Sequence, residues 1–192
     1  AIYGLYYQYV NSNATTSVMS KVENNVMSTD RSAFYAYGSR NINVYHNSFS
    51  TNGTGTFYYS CYVGGGFGAN VADTVSVRNN VFSANDGFAL YVSTIQNEKD
   101  IDYNLYYGVG TNLAYDGGNR SDLAALQAAD TTNNQNSVSG DPSFISTSNL
   151  RSIVGTVQNN VGDNTVGVTT DFDGVSRPIT GSTVVDMGAF EY

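Results

Sequence analysis

The sequence predicts an all-β fold, a parallel β-solenoid that carries one short helix and an irregular C-terminal closing segment. Three observations favour it. The 192 residues include 23 Asn, 21 Ser, 18 Thr and 20 Gly, which are mediocre or poor helix formers. The 16 Tyr and 9 Phe, with many β-branched residues, suit strands and exclude a disordered chain. A short pattern also recurs at intervals close to the length of one solenoid coil.

Four gapless segments share the order β-branched, any, any, Asn, any, large apolar. They are Val22–Ser28, Val44–Ser50, Val77–Ser83 and Ile101–Tyr107. Their asparagines are separated by 22, 33 and 24 residues, and the longest interval contains the glycine-rich insertion Gly64–Gly68. This period, with two or three short strands per repeat, fits stacked parallel coils. An antiparallel sandwich is the alternative, but a sandwich has no reason to repeat one template at this interval.

The repeated asparagines predict a structural column. Asparagine tolerates left-handed backbone angles, and its amide can hydrogen-bond to an identical amide in the next coil. We therefore expect a stack at one recurring sharp corner, formed by Asn25, Asn47, Asn80 and Asn104.

The first three repeats are each followed by a small-residue turn and a second, aromatic strand: Ala33–Tyr37, Thr56–Tyr59 and Phe88–Val92. Leu5–Tyr9 resembles the same strand from a preceding coil. Alternation along a strand sends half of the side chains outward, so several tyrosines should share one outer face. Such a face can hold sugar rings or another protein, although the tyrosines can also simply cover the wall. The candidate ligand face comprises Tyr35, Tyr37, Tyr58, Tyr59 and Tyr91, within a wider set that adds Tyr6, Tyr7, Tyr9 and Tyr62.

The second half of the chain has a different pattern. Residues 121–129 predict the one convincing helix, with Ser121 as its N-cap and Leu123 and Leu126 on one face. We assign residues 1–110 to the β-helix coils, and residues 111–192 to a C-terminal coil and capping segment of the same domain.

Several short motifs mark the C-terminal half. They are Asp-Tyr-Asn-Leu-Tyr-Tyr at 102–107, Asp-Pro-x-Phe at 141–144, Asp-x-Asp-Gly-x-x-Arg-Pro at 171–178 and Asp-x-Gly-Ala-x-Glu-Tyr at 186–192. Residues 171–192, the closing segment, are expected to pack over the last coil, because solenoids need terminal caps. The polar residues of the closing motif are Asp141, Asp171, Asp173, Arg177 and Asp186.

These motifs, in this order, resemble the choice-of-anchor Q ending of bacterial secreted β-helix proteins, and the repeats resemble right-handed parallel β-helix proteins of the pectate-lyase-like type. The resemblance implies a right-handed solenoid on a secreted or cell-surface protein, often one exported by type IX secretion. It also implies that the chain is the C-terminal end of a longer β-helix.

The resemblance also raises the question whether the chain is an enzyme, because some β-helix proteins of this type cleave polysaccharides. Lyases of this type remove a proton beside a uronate with Lys, Arg, His or Tyr, and related hydrolases use aspartates on neighbouring coils. The only histidine, His46, is expected to be a polar corner residue, and Arg78 is expected to pair with Asp102 on the next coil. The other basic residues are scattered, so a base and a carboxylate-neutralising group cannot be assembled.

We therefore expect a non-catalytic module: an adhesin stalk, a glycan-binding or protein-binding wall, or the passenger end of an exported protein. The first alternative is the C-terminal part of a polysaccharide lyase or glycosidase whose active groove lies on coils absent here. A weaker alternative is a cargo captured by a secretion machine.

Charge and composition narrow the partners. A net charge of −8 with eight dispersed basic residues argues against nucleic acid as a partner. The sequence contains no run of about 18 apolar residues, so no membrane insertion is expected. The segment Asp171–Gly174 suggests a calcium loop but lacks its further oxygen ligands, so no cofactor is expected and calcium is only weakly supported. A tight turn whose carboxylates meet Arg177 is the preferred interpretation. The expected partners are a glycan or a surface protein, and secretion machinery if the chain is exported.

Overall fold

The computed structural model describes residues 3–10, 19–65, 72–153 and 156–192. Residues 66–68 of the predicted glycine-rich insertion lie outside them. The chain is mostly β, with 43% strand and 6% helix, which confirms the predicted all-β class. Its parallel sheets are stacked. Among the helices of the described segments, none is long and apolar enough to cross a bilayer.

The regular elements are short, as expected for a chain rich in turn-forming residues. In chain order the strands are Tyr3–Gln8 (β1), Ser20–Glu23 (β2), Val26–Thr29 (β3), Ser32–Tyr37 (β4), Ile42–Tyr45 (β5), Ser48–Thr51 (β6), Tyr59–Gly64 (β7), Ala72–Arg78 (β8), Val81–Ala84 (β9), Phe88–Val92 (β10), Ile95–Asp102 (β11), Leu105–Gly108 (β12), Ala114–Asp116 (β13), Asn119–Arg120 (β14), Val138–Ser139 (β15), Phe144–Ser146 (β16) and Asn149–Ser152 (β17). The α-helix α1 spans Leu123–Ala129, and a 3₁₀ turn spans Asn164–Val166.

Three parallel sheets are built from strands that pair with the strand three elements further along the chain. Sheet A has the order β1-β4-β7-β10-β13, extended by the antiparallel β14. Sheet B has the order β2-β5-β8-β11, and sheet C the order β3-β6-β9-β12-β15. Three successive strands, one in each sheet, form what we call a rung. Four rungs begin at β2, β5, β8 and β11.

The core lies between the three sheets. Phe34, Phe49, Phe82 and Tyr106 are fully buried, and the centroids of successive rings lie 5.8, 6.1 and 5.9 Å apart. Aromatic pairs in such stacked arrangements add about 0.5–1.5 kcal/mol each beyond the burial of their surface. In three of the four repeats the large apolar position of the sequence template thus joins an aromatic row, which Phe34 of β4 extends to the first rung.

Helix α1 covers the C-terminal end of this core. Leu126 is fully buried within the core cluster, and Leu123 packs against the same cluster. The N-cap is Asp122, whose side chain accepts from the backbone N–H of Ala125 at 2.8 Å, so the predicted cap at Ser121 is wrong by one residue. Asp122 caps the helix in place of Ser121 because its carboxylate reaches the third N–H of the helix, where the helix dipole favours negative charge.

The closing segment lies along the stack, and it does not form the cap over the last coil that the sequence predicted. The backbone N–H of Ala189 donates to Ser48 Oγ at 3.0 Å, and that of Gly188 donates to the carbonyl of Asn79 at 2.7 Å. Met187 packs against Val81 and Leu105. These contacts reach three successive rungs at the corner between sheets B and C, because the end of the core is already occupied by α1.

Candidate functional site

Five tyrosines form a continuous stack on sheet A. Tyr6, Tyr35, Tyr62, Tyr91 and Tyr115 occupy equivalent positions of β1, β4, β7, β10 and β13 in the parallel register. The centroids of successive rings lie 5.4, 4.2, 5.3 and 4.4 Å apart, with interplanar angles of 5, 14, 12 and 7°. This tyrosine ladder follows from the register, since parallel strands carry equivalent residues at about 4.8 Å intervals.

Two further tyrosines widen the ladder into what we call the tyrosine face. Tyr59 lies 5.4 Å from Tyr62 and 4.9 Å from Tyr91 between ring centroids, and Tyr37 stacks on Tyr35 at 6.3 Å. A cavity of about 390 Å³ opens onto this face. It is lined by Tyr35, Tyr37, Tyr59, Tyr62, Gly65, Tyr91, Ser93 and Thr94.

The structure brings together four of the five tyrosines predicted as a ligand face: Tyr35, Tyr37, Tyr59 and Tyr91. Tyr58 lies apart from them, since it precedes β7 and its ring lies 5.7 Å from the guanidinium of Arg31. Tyr115 was not included in the predicted face. A signal for it exists in the sequence, because Ala114–Tyr115 repeats the apolar–Tyr pair Leu90–Tyr91 after one coil length.

The tyrosine face is uncharged at neutral pH. Burial, reinforced by Tyr91 and Tyr62, raises the pKa of Tyr59 to about 12. Burial and the neighbouring tyrosines also raise the pKa of Tyr35 well above its usual value of 10. The phenol groups of Tyr35 and Tyr59 therefore stay protonated at physiological pH and act as neutral hydrogen-bond donors and acceptors.

The stacking decides which surface of the rings a ligand can reach. Within the ladder each ring face lies against the next ring, so the faces themselves are not open to a sugar ring. A sugar ring that binds along the ladder would therefore contact the edges of the tyrosine rings. A ligand meets ring edges and phenol hydroxyl groups, repeated once per rung. Such a surface offers hydrogen bonds to hydroxyl-rich ligands along the direction of the stack.

The predicted asparagine column lies at the corner between sheets B and C. Asn25, Asn47 and Asn80 each donate from Nδ2 to the amide oxygen of the next column residue at 2.9 Å, and the column ends at Asn104. The same oxygens also accept backbone N–H groups of the preceding rung. The left-handed residue at each corner is the one before the column asparagine, and the asparagine itself is not left-handed as the sequence suggested. The bonds between the column amides connect successive rungs.

Charged residues on sheet B pair with one another. Arg78 contacts Asp100 and lies 2.7 Å from Asp163, so the expected pairing of Arg78 with Asp102 is wrong. Asp102 aligns with Arg78 in register but is buried, and it accepts from the backbone and side-chain amides of Asn136. The loop that follows α1 brings Asn136 to this carboxylate, a contact that the strand register alone does not reveal.

Arg177 is held by a different acid from the one expected. Its guanidinium donates from Nη1 to Glu191 Oε1 at 2.6 Å, from Nη2 to the carbonyl of Gly188 at 2.8 Å, and from Nη2 to Asn24 Oδ1 at 3.2 Å. Both side chains of the Arg177–Glu191 pair are fully buried. The predicted contact with the carboxylates of the 171–174 turn is therefore wrong, because the chain end folds back and places Glu191 beside the guanidinium.

The other acids of the closing motif mostly bind backbone. Asp171 accepts from three backbone N–H groups, Asp186 from two and Asp141 from one. Asp173 pairs with Arg151 at 2.6 Å. The oxygens that a calcium ion would need are thus engaged by N–H donors or by arginine. In the described part of the chain, no group of three or more His, Cys, Asp or Glu side chains is placed to hold a metal ion.

Comparison of the chain with protein-family models, curated proteins and solved structures finds no match. The family resemblance therefore rests on the sequence motifs, and the function on the geometry of the tyrosine face.

Proposed function

We propose that this chain is a segment of a right-handed parallel β-helix that serves a secreted or cell-surface protein as a non-catalytic binding wall, and that its tyrosine face binds neutral glycans. Three parallel sheets in which strands pair three elements apart support the β-helix. The resemblance of the repeats to pectate-lyase-like proteins, and of the ending to the choice-of-anchor Q type, supports the right hand and the export.

The observation that carries the binding function is the cavity of about 390 Å³ over the tyrosine face. Ligand sites commonly combine aromatic surface with a few convergent polar groups in a cavity of this size. Here the aromatic surface is provided by ring edges, and the polar groups are phenols with Ser93 and Thr94. A hydroxyl-rich ligand can exchange hydrogen bonds with several rungs at once.

Charge selects neutral glycans over acidic ones. The phenols remain protonated, and the chain carries a net charge of −8, which repels a polyuronate. Two of the eight basic residues, Arg78 and Lys99, are each held by a pair of carboxylates. An acidic polysaccharide would have to break these ion pairs before it could use either cation.

The experiment is a binding titration of neutral and acidic oligosaccharides by calorimetry. The double variant Tyr59→Phe/Tyr91→Phe keeps the stacked rings but removes two hydroxyl groups. We expect neutral glycans to bind about tenfold more weakly to it, because each hydrogen bond contributes about 0.5–1.5 kcal/mol. The control is Tyr58→Phe, outside the face, which should bind as the wild type does.

Two outcomes contradict this function. One is unchanged affinity of the double variant for every neutral glycan that the wild type binds. The other is steady formation of unsaturated product, seen by its ultraviolet absorbance, when the chain is incubated with pectate, alginate or chondroitin.

A further inference from the structure

A second concave site lies against the outer side of sheet C. A cleft of about 320 Å³ separates that sheet from the hairpin of β16 and β17 and the segment before it. We call it the sheet C cleft. It is lined by Ser50, Thr51, Asn52, Ser83, Asn85, Tyr107, Val109, Asp141, Pro142, Phe144, Ser146 and Thr147.

The floor of the cleft is a regular row of hydroxyl groups. Ser50, Ser83 and Tyr107 occupy equivalent positions on β6, β9 and β12. Neighbouring parallel strands lie about 4.8 Å apart, so the three hydroxyl-bearing residues repeat at that interval. The adjacent outward column, at Val81 and Leu105, is covered by Met187. The closing segment thus leaves one polar column of sheet C open.

The opposite wall is fixed to the sheet. Ser28 Oγ donates to the carbonyl of Thr147 at the tip of the hairpin, and Leu150 of β17 is buried. The backbone N–H of Ser152 donates to the hydroxyl group of Tyr192. The hairpin is therefore tied at its tip and at its base, and the cleft is formed before any ligand arrives. A preformed site loses less conformational entropy on binding.

The lining identifies the class of ligand. Seven lining residues are Ser, Thr or Asn, and the one charged residue is Asp141. Tyr107 and Phe144 add aromatic surface, and Val109 is 58% exposed at the rim. Hydroxyl and amide groups beside aromatic rings match the alternating polar and C–H surfaces of a sugar. Asp141 and the net charge of −8 disfavour anions.

We propose that the sheet C cleft is a binding site for a neutral mono- or disaccharide, separate from the tyrosine face. The volume of about 320 Å³ lies at the lower end of the range for small-molecule sites, which limits the ligand to one or two sugar units. Ser50 and Ser83 provide hydroxyl contacts, and Tyr107 provides the ring.

The test uses maltose, cellobiose, lactose and N,N′-diacetylchitobiose as probes, with galacturonic acid as the acidic control. Amide chemical shifts of the ¹⁵N-labelled chain report where each probe binds, and calorimetry gives its affinity. We expect at least one neutral probe to shift the amides of Ser50, Ser83 and Tyr107. Galacturonic acid should shift none of them.

Two variants locate the site. Ser83→Leu fills the floor and should weaken binding at least tenfold. Ser83→Ala removes only the hydroxyl group from the floor, so it should weaken binding several-fold while leaving the melting temperature of the free chain nearly unchanged. A merely structural role of Ser83 would lower that melting temperature and leave the affinity as it is. Ser83→Ala also keeps the test decisive if Ser83→Leu fails to fold.

The Tyr59→Phe/Tyr91→Phe variant separates this site from the tyrosine face, because it should bind the disaccharide in the cleft as the wild type does. The inference is overturned if no neutral probe shifts the cleft amides, if galacturonic acid binds there as well as the neutral probes, or if Ser83→Ala binds with wild-type affinity.

Discussion

Left-handed backbone at single residues shapes each corner between sheets B and C. Asn24, His46, Asn79 and Tyr103 have φ angles of 54, 53, 58 and 53°. Asparagine adopts this region more readily than most residues, but histidine and tyrosine occupy it here as well. His46 is fully buried, and its Nε2 accepts from Asn79 Nδ2 at 2.9 Å. The conformation of the corner is thus set by its position in the rung more than by the residue type.

The buried histidine makes stability depend on pH. Burial, and then the positive charge of Arg177, hold the pKa of His46 well below its usual 6.5. Below about pH 6.5 the unfolded chain binds a proton at His46, whereas the folded chain keeps His46 neutral. The free energy of unfolding is therefore highest above that pH and decreases as the pH falls. His46→Asn should remove this dependence while keeping a residue suited to the corner.

We expect the stability of the wild type to fall relative to His46→Asn by up to about 1.4 kcal/mol per pH unit between pH 6.5 and 5. Urea unfolding at each pH measures it. Burial raises the pKa of Asp186 and Glu191, whose protonation acts in the opposite direction, but it is common to both proteins. Equal pH slopes for the two proteins would contradict the prediction.

At the scale of elements, the asparagine column joins the strands of sheets B and C across rungs. Asn80 shows the pattern, since its Nδ2 donates to the carbonyls of Val44 and Arg78 and to Asn104 Oδ1. Its own oxygen accepts from the backbone and side chain of Asn47. The corner between two short strands leaves backbone groups without a sheet partner, and the column satisfies them inside the protein.

Asn80→Ala should therefore lower the free energy of unfolding by about 1–3 kcal/mol, because it leaves the buried carbonyl of Val44 and the buried N–H groups of Asn47 unpaired. The matched control is Asn119→Ala, which removes an exposed amide and should change stability by less than about 0.5 kcal/mol. Chemical denaturation measures both variants. Similar losses at the two positions would show that the column contributes no more than a surface amide.

At the scale of the whole molecule, the closing segment fastens several rungs together through one buried ion pair. Arg177 reaches Asn24 at the first corner and Glu191 at the chain end. Gly188 and Ala189 bind the next two rungs through Asn79 and Ser48. A buried ion pair is weak evidence of net stabilisation, but removing one partner leaves a buried charge without compensation.

Arg177→Met should lower the free energy of unfolding by about 3–5 kcal/mol, since Glu191 then lacks its counter-charge. Asp173→Asn breaks the exposed pair with Arg151 in the same segment and should cost at most about 1 kcal/mol. Both are measured by urea unfolding. The fastening role is contradicted if the two variants lose the same stability.

Some features follow from the sequence because they repeat. The template that contains Asn80 and Phe82 recurs once per rung, so aligning the repeats also aligns the column and the aromatic row of the core. Tyr58 was misplaced because two adjacent tyrosines precede and begin β7, and alternation alone does not decide where the strand starts.

The sequence alone therefore determined the all-β class and the alignment of the column asparagines, because each depends on a local pattern that recurs at one spacing. It did not determine the alignment of the tyrosines, since Tyr62 of β7, and neither Tyr58 nor Tyr59, aligns with Tyr35 and Tyr91. Only the tertiary structure decided that α1 covers the end of the core, that Glu191 neutralises Arg177, and that the hairpin of β16 and β17 encloses a cleft on sheet C. These arrangements occur once, and some join residues more than 100 positions apart, as Ala189 and Ser48 are joined. No periodic signal marks such contacts, since they depend on how the non-repeating C-terminal segments pack against the surfaces and end of the stack.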